Sequence, residues 1–204
     1  MNTVLLDGLL YPIEELEKRI PFKYIPQLVF EDQSDVVARG KAKDQNNLIT
    51  PQALELGRKY INKITSAYIP KVSVRWISGK VGYGLFAEEP IAAGSYVGEY
   101  TGIVRKNDRR YFEPLNNYCY EYPVDDEIGR SLVIDATQGN LTRFINHRSN
   151  PNLQPVHVFY DGYYHLIFIA LRSIELGEEL SYDYGESYWY LRDKPENYSS
   201  RTML

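Results

Sequence analysis

The chain has 204 residues, 44% of them hydrophobic, a formal charge of -4 and one cysteine, Cys119. That length buries one substantial core with an accessory piece and falls short of two full domains. A single thiol excludes an internal disulfide or a multi-cysteine zinc site, so any cofactor is expected to be organic, and the mild acidity leans away from nucleic acid and towards a basic partner.

In chain order, residues 1–70 read as helix and loop. No basic segment precedes an apolar run at the start, and no stretch approaches the about 18 apolar residues that span a bilayer, so a soluble chain without signal peptide or membrane partner is expected. IEELEKRI (13–20) and TPQALELGRKYINKITSAYI (50–69) carry apolar residues at helical spacing, with Thr50 and Pro51 as cap and first turn of the second. EDQSDVVARGKAKDQNNLIT (31–50) reads as a polar connector. After Pro70 short apolar runs alternate with Gly, Pro and Asn turns, which predicts a many-stranded, mostly antiparallel region. FYDGYYHLIFI (159–169) is the clearest hairpin, because Asp161-Gly162 suits a two-residue turn. The 19 tyrosines fit either ordinary strand packing or a channel with flat apolar walls and hydroxyl tips.

Three segments hold candidates for chemistry. Gly79, Gly82 and Gly84 surround Lys80 and Tyr83 but open no long apolar helix and lack phosphate-loop spacing, so they read as a tight turn. In RFINHRSNPN (143–152), His147 suits a metal ligand, a base or a structural role. The other histidines, His157 and His165, sit in the hairpin strands without an acidic pair at ligand spacing, which disfavours metal. Ser149 and Ser181 lack a nucleophile elbow, and Cys119 has no base partner in sequence. The amide side chains of this stretch suit an irregular loop held in one shape. In GEELSYDYGESYWY (177–190), Asp183 separates Tyr182 from Tyr184, a pair that fits a core as well as a site.

Taken in order, VGYGLFAEEPIAAGSYVGEYTG (81–102), GNLTRFINHRSNPN (139–152) and GEELSYDYG (177–185) resemble the SET-domain protein lysine methyltransferases from about Val72 to Trp189. The resemblance implies a mainly β, α+β overall, SET fold: small curved β-sheets with a C-terminal pseudoknot, preceded by a helical segment. It divides the chain into an N-terminal extension (1–70), a SET core (71–185) and a C-terminal segment (186–204) that covers the cofactor pocket.

The resemblance further implies that S-adenosyl-L-methionine and the substrate lysine enter from opposite faces. Val81, Tyr83, Tyr118, Arg143, Asn146, His147, Tyr184, Tyr188 and Trp189 are then the cofactor-binding residues, with one aromatic ring on the adenine. Tyr100, Tyr120, Tyr182 and Tyr184 line the lysine channel, Tyr118 being the alternative to Tyr120. Tyr184 is the expected catalytic residue, with Tyr182 and Tyr100 beside it, and a phenol at Tyr182 favours monomethylation. The cysteine that often follows the Asn-His pair is absent, so a compact, zinc-free form similar to those of intracellular bacteria or viruses is expected, without metal. The expected substrate is a histone or histone-like protein, and the expected location is cytoplasmic or, for a bacterial effector, secreted into a host cell and its nucleus. A catalytically silent SET-like module that binds a basic partner is the alternative, and a homodimer stays open.

Overall fold

The structure, a computed structural model, describes residues 3–107, 116–125, 131–190 and 192. It opens on a hairpin where helix and loop were expected: β1 (Thr3–Leu6) and β2 (Leu9–Pro12) are joined by Asp7 (φ 47) and Gly8 (φ 84). Asp-Gly between two apolar runs is a strong short-range hairpin signal, and here it outweighs the helical texture around it. Helix α1 (Ile13–Arg19) follows, with Glu14 and Glu15 in its first turn and Lys18 and Arg19 in its last, the charge order that the helix dipole favours. Its Leu16 is fully buried in the core, worth about 2 kcal/mol of apolar transfer.

The connector expected at 31–50 is largely helical. After the short strand β3 (Val29–Phe30), α2 spans Gln33–Gln45, and α3 (Pro51–Thr65) stands where predicted, with Thr50 Oγ1 accepting the Ala53 amide at 3.2 Å. Helix α2 has little apolar face, so no periodicity announced it. It is held by other means. A Cβ on Gly40 would overlap the Gly162 carbonyl oxygen, and one on Gly57 in α3 would overlap the Phe159 carbonyl oxygen. Both helices therefore seat a bare backbone on the same hairpin.

Beyond Pro70 the strands are β4 (Val72–Ser78), β5 (Gly82–Ala87), β6 (Tyr96–Glu99), β7 (Ile103–Lys106), β8 (Cys119–Asp125), β9 (Ser131–Asp135), β10 (Asn146–His147), β11 (Leu153–Tyr160), β12 (Tyr163–Ala170) and β13 (Ser181–Tyr182), followed by the short helix α4 (Glu186–Trp189). Among the described residues they form four small sheets, ordered β2-β1-β4-β5, β3-β7-β9-β8, β11-β12-β6 and β10-β13. The architecture is mixed α and β. Most pairings are antiparallel as expected, and β11–β12 turns at Asp161 (φ 47) and Gly162 (φ 88). Three pairings are parallel: β1 with β4, β3 with β7, and β10 with β13. The first of these binds the N-terminal hairpin into a sheet of the later region, so residues 3–12 are part of the main body. One core cluster runs through Leu16, Val74, Leu85, Ile134, Ile145, Leu166, Phe168 and Ile174.

Candidate active site

The three segments singled out in the sequence meet in space, and buried amide side chains join them. Asn140 caps the 3-10 turn Leu141–Phe144: its Oδ1 accepts the Thr142 amide at 3.0 Å, and its Nδ2 donates to the Glu99 carbonyl at 2.8 Å. Asn146 Nδ2 donates to the Tyr83 carbonyl (3.2 Å) and to Glu179 Oε1 (3.0 Å). Asn152 Nδ2 donates to the Glu179 carbonyl (2.8 Å), while its Oδ1 accepts the Ser181 amide (2.9 Å). Each amide satisfies backbone groups that an irregular loop would otherwise bury unpaired. The loop reading of RFINHRSNPN is therefore correct, and the loop is stitched to both other segments.

Glu179 is the centre of this arrangement, and sequence reasoning missed it. The residue is 5% exposed, and its carboxylate takes Asn146 on one oxygen and Arg148 Nη2 on the other, at 2.6 Å. A buried carboxylate needs such partners, since an uncompensated one costs several kcal/mol. Gly84 leaves room for it: a Cβ there would crowd Ile77, Glu179 Oε1 and Asn146 Nδ2. That is the physical use of the third glycine in the turn.

The parallel pairing of β10 with β13 sets Asn146 opposite Ser181 and His147 opposite Tyr182. A cluster of rings follows. Tyr182 lies 4.6 Å from Tyr184 and 5.0 Å from Phe168, and Tyr120 lies 6.3 Å from Tyr182 and 6.0 Å from Tyr100. On the other side Tyr184 meets Tyr188 at 4.6 Å and stacks with Trp189 at 6.0 Å and 11°, and His147 meets Trp189 at 4.8 Å. Tyr100, Tyr120, Tyr182, Tyr184, Tyr188, Trp189 and His147 are thus one contiguous group. Phe168 belongs to it too, and only the register of the hairpin reveals that.

The polar tips of the group are specifically engaged. Tyr184 donates its hydroxyl to the Ile145 carbonyl (2.9 Å) and Tyr100 donates to the Tyr118 carbonyl (2.8 Å). Each phenol has one proton to give, so their oxygens are left with lone pairs as acceptors. Burial holds the pKa of Tyr100, Tyr182 and Tyr184 well above the ordinary phenol value, with neighbouring phenols adding to the effect. All three are neutral at physiological pH. His147 Nδ1 accepts the Tyr184 amide at 3.2 Å, which makes it the unprotonated nitrogen; the exposed Asp183 carboxylate 3.4 Å away therefore receives no proton from it.

The remaining candidates are placed as follows. The Val81 amide donates to Ser78 Oγ at 3.2 Å, and the Tyr83 ring packs between Trp76 (5.0 Å) and Phe144 (6.2 Å). Arg143 is buried, with Nε on the Ala136 carbonyl at 2.8 Å and its guanidinium 4.0 Å over the Tyr118 ring, so it braces the wall that carries Tyr118. Arg192, unremarked in the sequence, lies 4.1 Å over Tyr188 and donates to the Asn116 and Tyr188 carbonyls and to Asn117 Oδ1. It ties α4 to the segment before β8. The covering role expected of residues 186–204 falls mostly outside the described residues, Leu191 and residues 193–204 included. No group of three metal-ligating side chains is assembled among the described residues.

Comparison with known proteins places this geometry. The SET domain family matches residues 82–185. Histone-lysine N-methyltransferase trithorax of Drosophila melanogaster is 41% identical over 109 residues, 50% of this chain and 3% of that protein. N-lysine methyltransferase KMT5A-A of Danio rerio is 38% identical over 121 residues, 55% of this chain and 35% of that protein. The chain thus spans a small part of the curated relatives it matches. Among solved structures, ATXR5 in complex with mono-methylated histone H3.1 superposes with a TM-score of 0.63 over 89% of this chain and 87% of that one. At 17% identity this is a likeness of fold. The relatives also correct the expected location, cytoplasmic or secreted: they are histone-lysine methyltransferases, which are nuclear proteins.

Proposed function

Because the chain belongs to the SET-domain family, we propose that it is an S-adenosyl-L-methionine-dependent protein-lysine N-methyltransferase that adds mainly one methyl group to a basic tail of a histone or histone-like protein. The observation that carries this is the continuous ring cluster from Tyr100 and Tyr120 through Tyr182 and Tyr184 to Trp189, made on one side of phenols and on the other of flat rings beside His147.

The residues fit the cofactor. Among the described residues Trp189 Nε1 is a buried donor without a partner, and the rings of His147, Tyr188 and Trp189 offer faces to a purine or a sulfonium. Val81, Tyr83, Tyr118, Arg143, Asn146 and Tyr184 complete the set on the strength of the family pattern. The chemistry supplied when S-adenosyl-L-methionine is bound is an electrophilic methyl group on sulfur, delivered in line.

What the chain contributes is placement and a dry wall. Tyr100, Tyr120, Tyr182 and Tyr184 enclose the substrate side chain among rings, where burial favours the neutral amine that must attack. The Tyr184 and Tyr100 oxygens, their protons committed to carbonyls, orient that amine as acceptors. Their raised pKa supports orientation over base chemistry, because it keeps both phenols protonated and leaves almost no phenolate to take a proton. Holding the amine in line supplies several kcal/mol of barrier reduction. The Tyr182 ring packs against both Tyr184 and Phe168, and its hydroxyl would leave little room for a second methyl.

The finer architecture belongs to the same proposal. Threading of the chain end through the 139–152 loop is supported by the parallel β10–β13 pairing, and a SET core at 71–185 by the extent of the family match. The zinc-free form rests on the single cysteine, and kinship with bacterial or viral members rests on that compactness alone. Incubation with labelled S-adenosyl-L-methionine and a panel of core histones, linker histone and basic bacterial proteins tests the proposal. Label on a basic protein is expected; an absence of cofactor binding by calorimetry would favour the silent module.

A further inference from the structure

The β11–β12 hairpin carries a histidine that the proposed chemistry leaves unused. His157 stands opposite Leu166, and Phe168, two residues along β12, touches Tyr182. Residues two apart in a strand share a face, so His157 is on the face of the sheet that meets the tyrosine cluster. Its ring meets Tyr120 edge-on at 5.8 Å and Tyr164 at 6.5 Å. Among the described residues its Nε2 is buried without a hydrogen-bond partner. Burial, only partly offset by the Glu121 backbone, lowers the imidazole pKa, which keeps the ring neutral.

Strand β8, which carries Tyr120, lies at the edge of its own sheet, and among the described residues no strand ladder joins it to β11. Side chains make the seam. The His157 ring meets the Tyr120 ring, the Tyr164 amide donates to the Tyr122 hydroxyl at 3.0 Å, and Arg39 and Lys43 of α2 donate to the Asp125 and Pro123 carbonyls at 2.6 and 2.7 Å. Of these contacts, the imidazole's is the one made on the Tyr120 ring itself. A buried ring nitrogen left without a partner is a cost that a hydrocarbon side chain here would avoid.

We propose that His157 is a positioning residue for the substrate channel, fixing Tyr120 relative to Tyr100 and Tyr182 and so setting the channel's width. This rests on the methyltransferase reading above.

The test compares wild type, His157→Leu and His157→Phe, each also carrying a fluorotyrosine at position 120. Losing the edge contact between the two rings predicts, for His157→Leu, a peptide KM and a dimethyl-to-monomethyl product ratio each raised roughly fivefold. His157→Phe, whose ring can pack where the imidazole did, returns both towards wild type. Fluorine NMR reads Tyr120 without relying on activity: its resonance moves in His157→Leu and returns towards wild type in His157→Phe. An unmoved resonance with an unchanged product ratio, whatever the loss of thermal stability, makes His157 purely structural and overturns the proposal. A moved resonance in a protein that transfers no methyl group leaves the positioning standing and sinks the methyltransferase reading instead.

Discussion

Two phenols with nothing left to donate lie in the ring cluster that, in the proposed reaction, would hold the neutral amine. Tyr100 and Tyr184 give their hydroxyl protons to Tyr118 and Ile145 carbonyls, and Tyr182 sits between Tyr184 and Phe168. Those contacts separate the roles of the three. Removing the Tyr182 hydroxyl leaves its ring packing and opens space beside the amine, so Tyr182→Phe is expected to shift products from mono- towards dimethyl-lysine with the first transfer nearly unchanged. Mass spectrometry of the products checks it; an unaltered product distribution would sink the assignment. Tyr182, Tyr184, Asn146 and His147 were legible in the sequence because they lie inside short motifs. Glu179 and Phe168 were not. Nothing in GEELSYDYG says which glutamate is buried, and Phe168 joins the site only through a hairpin register fixed at the Asp161-Gly162 turn.

At the scale of elements, helices were readable where an apolar face repeats, as in α3, and unreadable where other forces hold them. Helix α2 is docked by Gly40 against a carbonyl and by Arg39 and Lys43 on β8, contacts that leave no periodicity. The N-terminal hairpin did leave a signal, Asp7-Gly8, which the helical pattern downstream obscured. The glycine seats give a sharp expectation. In Gly57→Ala the new methyl group meets the Phe159 carbonyl and displaces α3 from β11, which outweighs the gain in helix propensity. A net loss of about 2 kcal/mol is expected. Denaturant unfolding should show a lower midpoint at unchanged slope; a midpoint at or above wild type would contradict the seat.

For the molecule as a whole, the tyrosine cluster couples stability to alkaline pH. Tyr100, Tyr182 and Tyr184 are held neutral by burial above the ordinary phenol pKa of 10.0. The unfolded chain releases those protons near pH 10 while the folded chain retains them. Folding stability is therefore insensitive to these groups below pH 10 and falls as pH rises beyond it. Unfolding midpoints measured from pH 8 to about 11 check the sign; a stability that does not fall over that span would mean the phenols are not held neutral by burial. The mixed architecture and the strand-rich later half were legible from turn residues and alternation. The parallel pairings of β1 with β4 and of β10 with β13 were not, because strands of two to seven residues joined across long separations carry no local trace of their partners. The second of those pairings brings His147 beside Tyr182 and so makes the site.

If Tyr184 orients a substrate amine for methyl transfer, mass spectrometry of the acceptor tail at matched cofactor occupancy should show one methyl group on a lysine with wild type and a rate about 100-fold lower for Tyr184→Phe, cofactor binding retained. Equal methylation by both proteins, or a cofactor-loaded wild type that methylates no lysine, would remove that role from the Tyr184 hydroxyl.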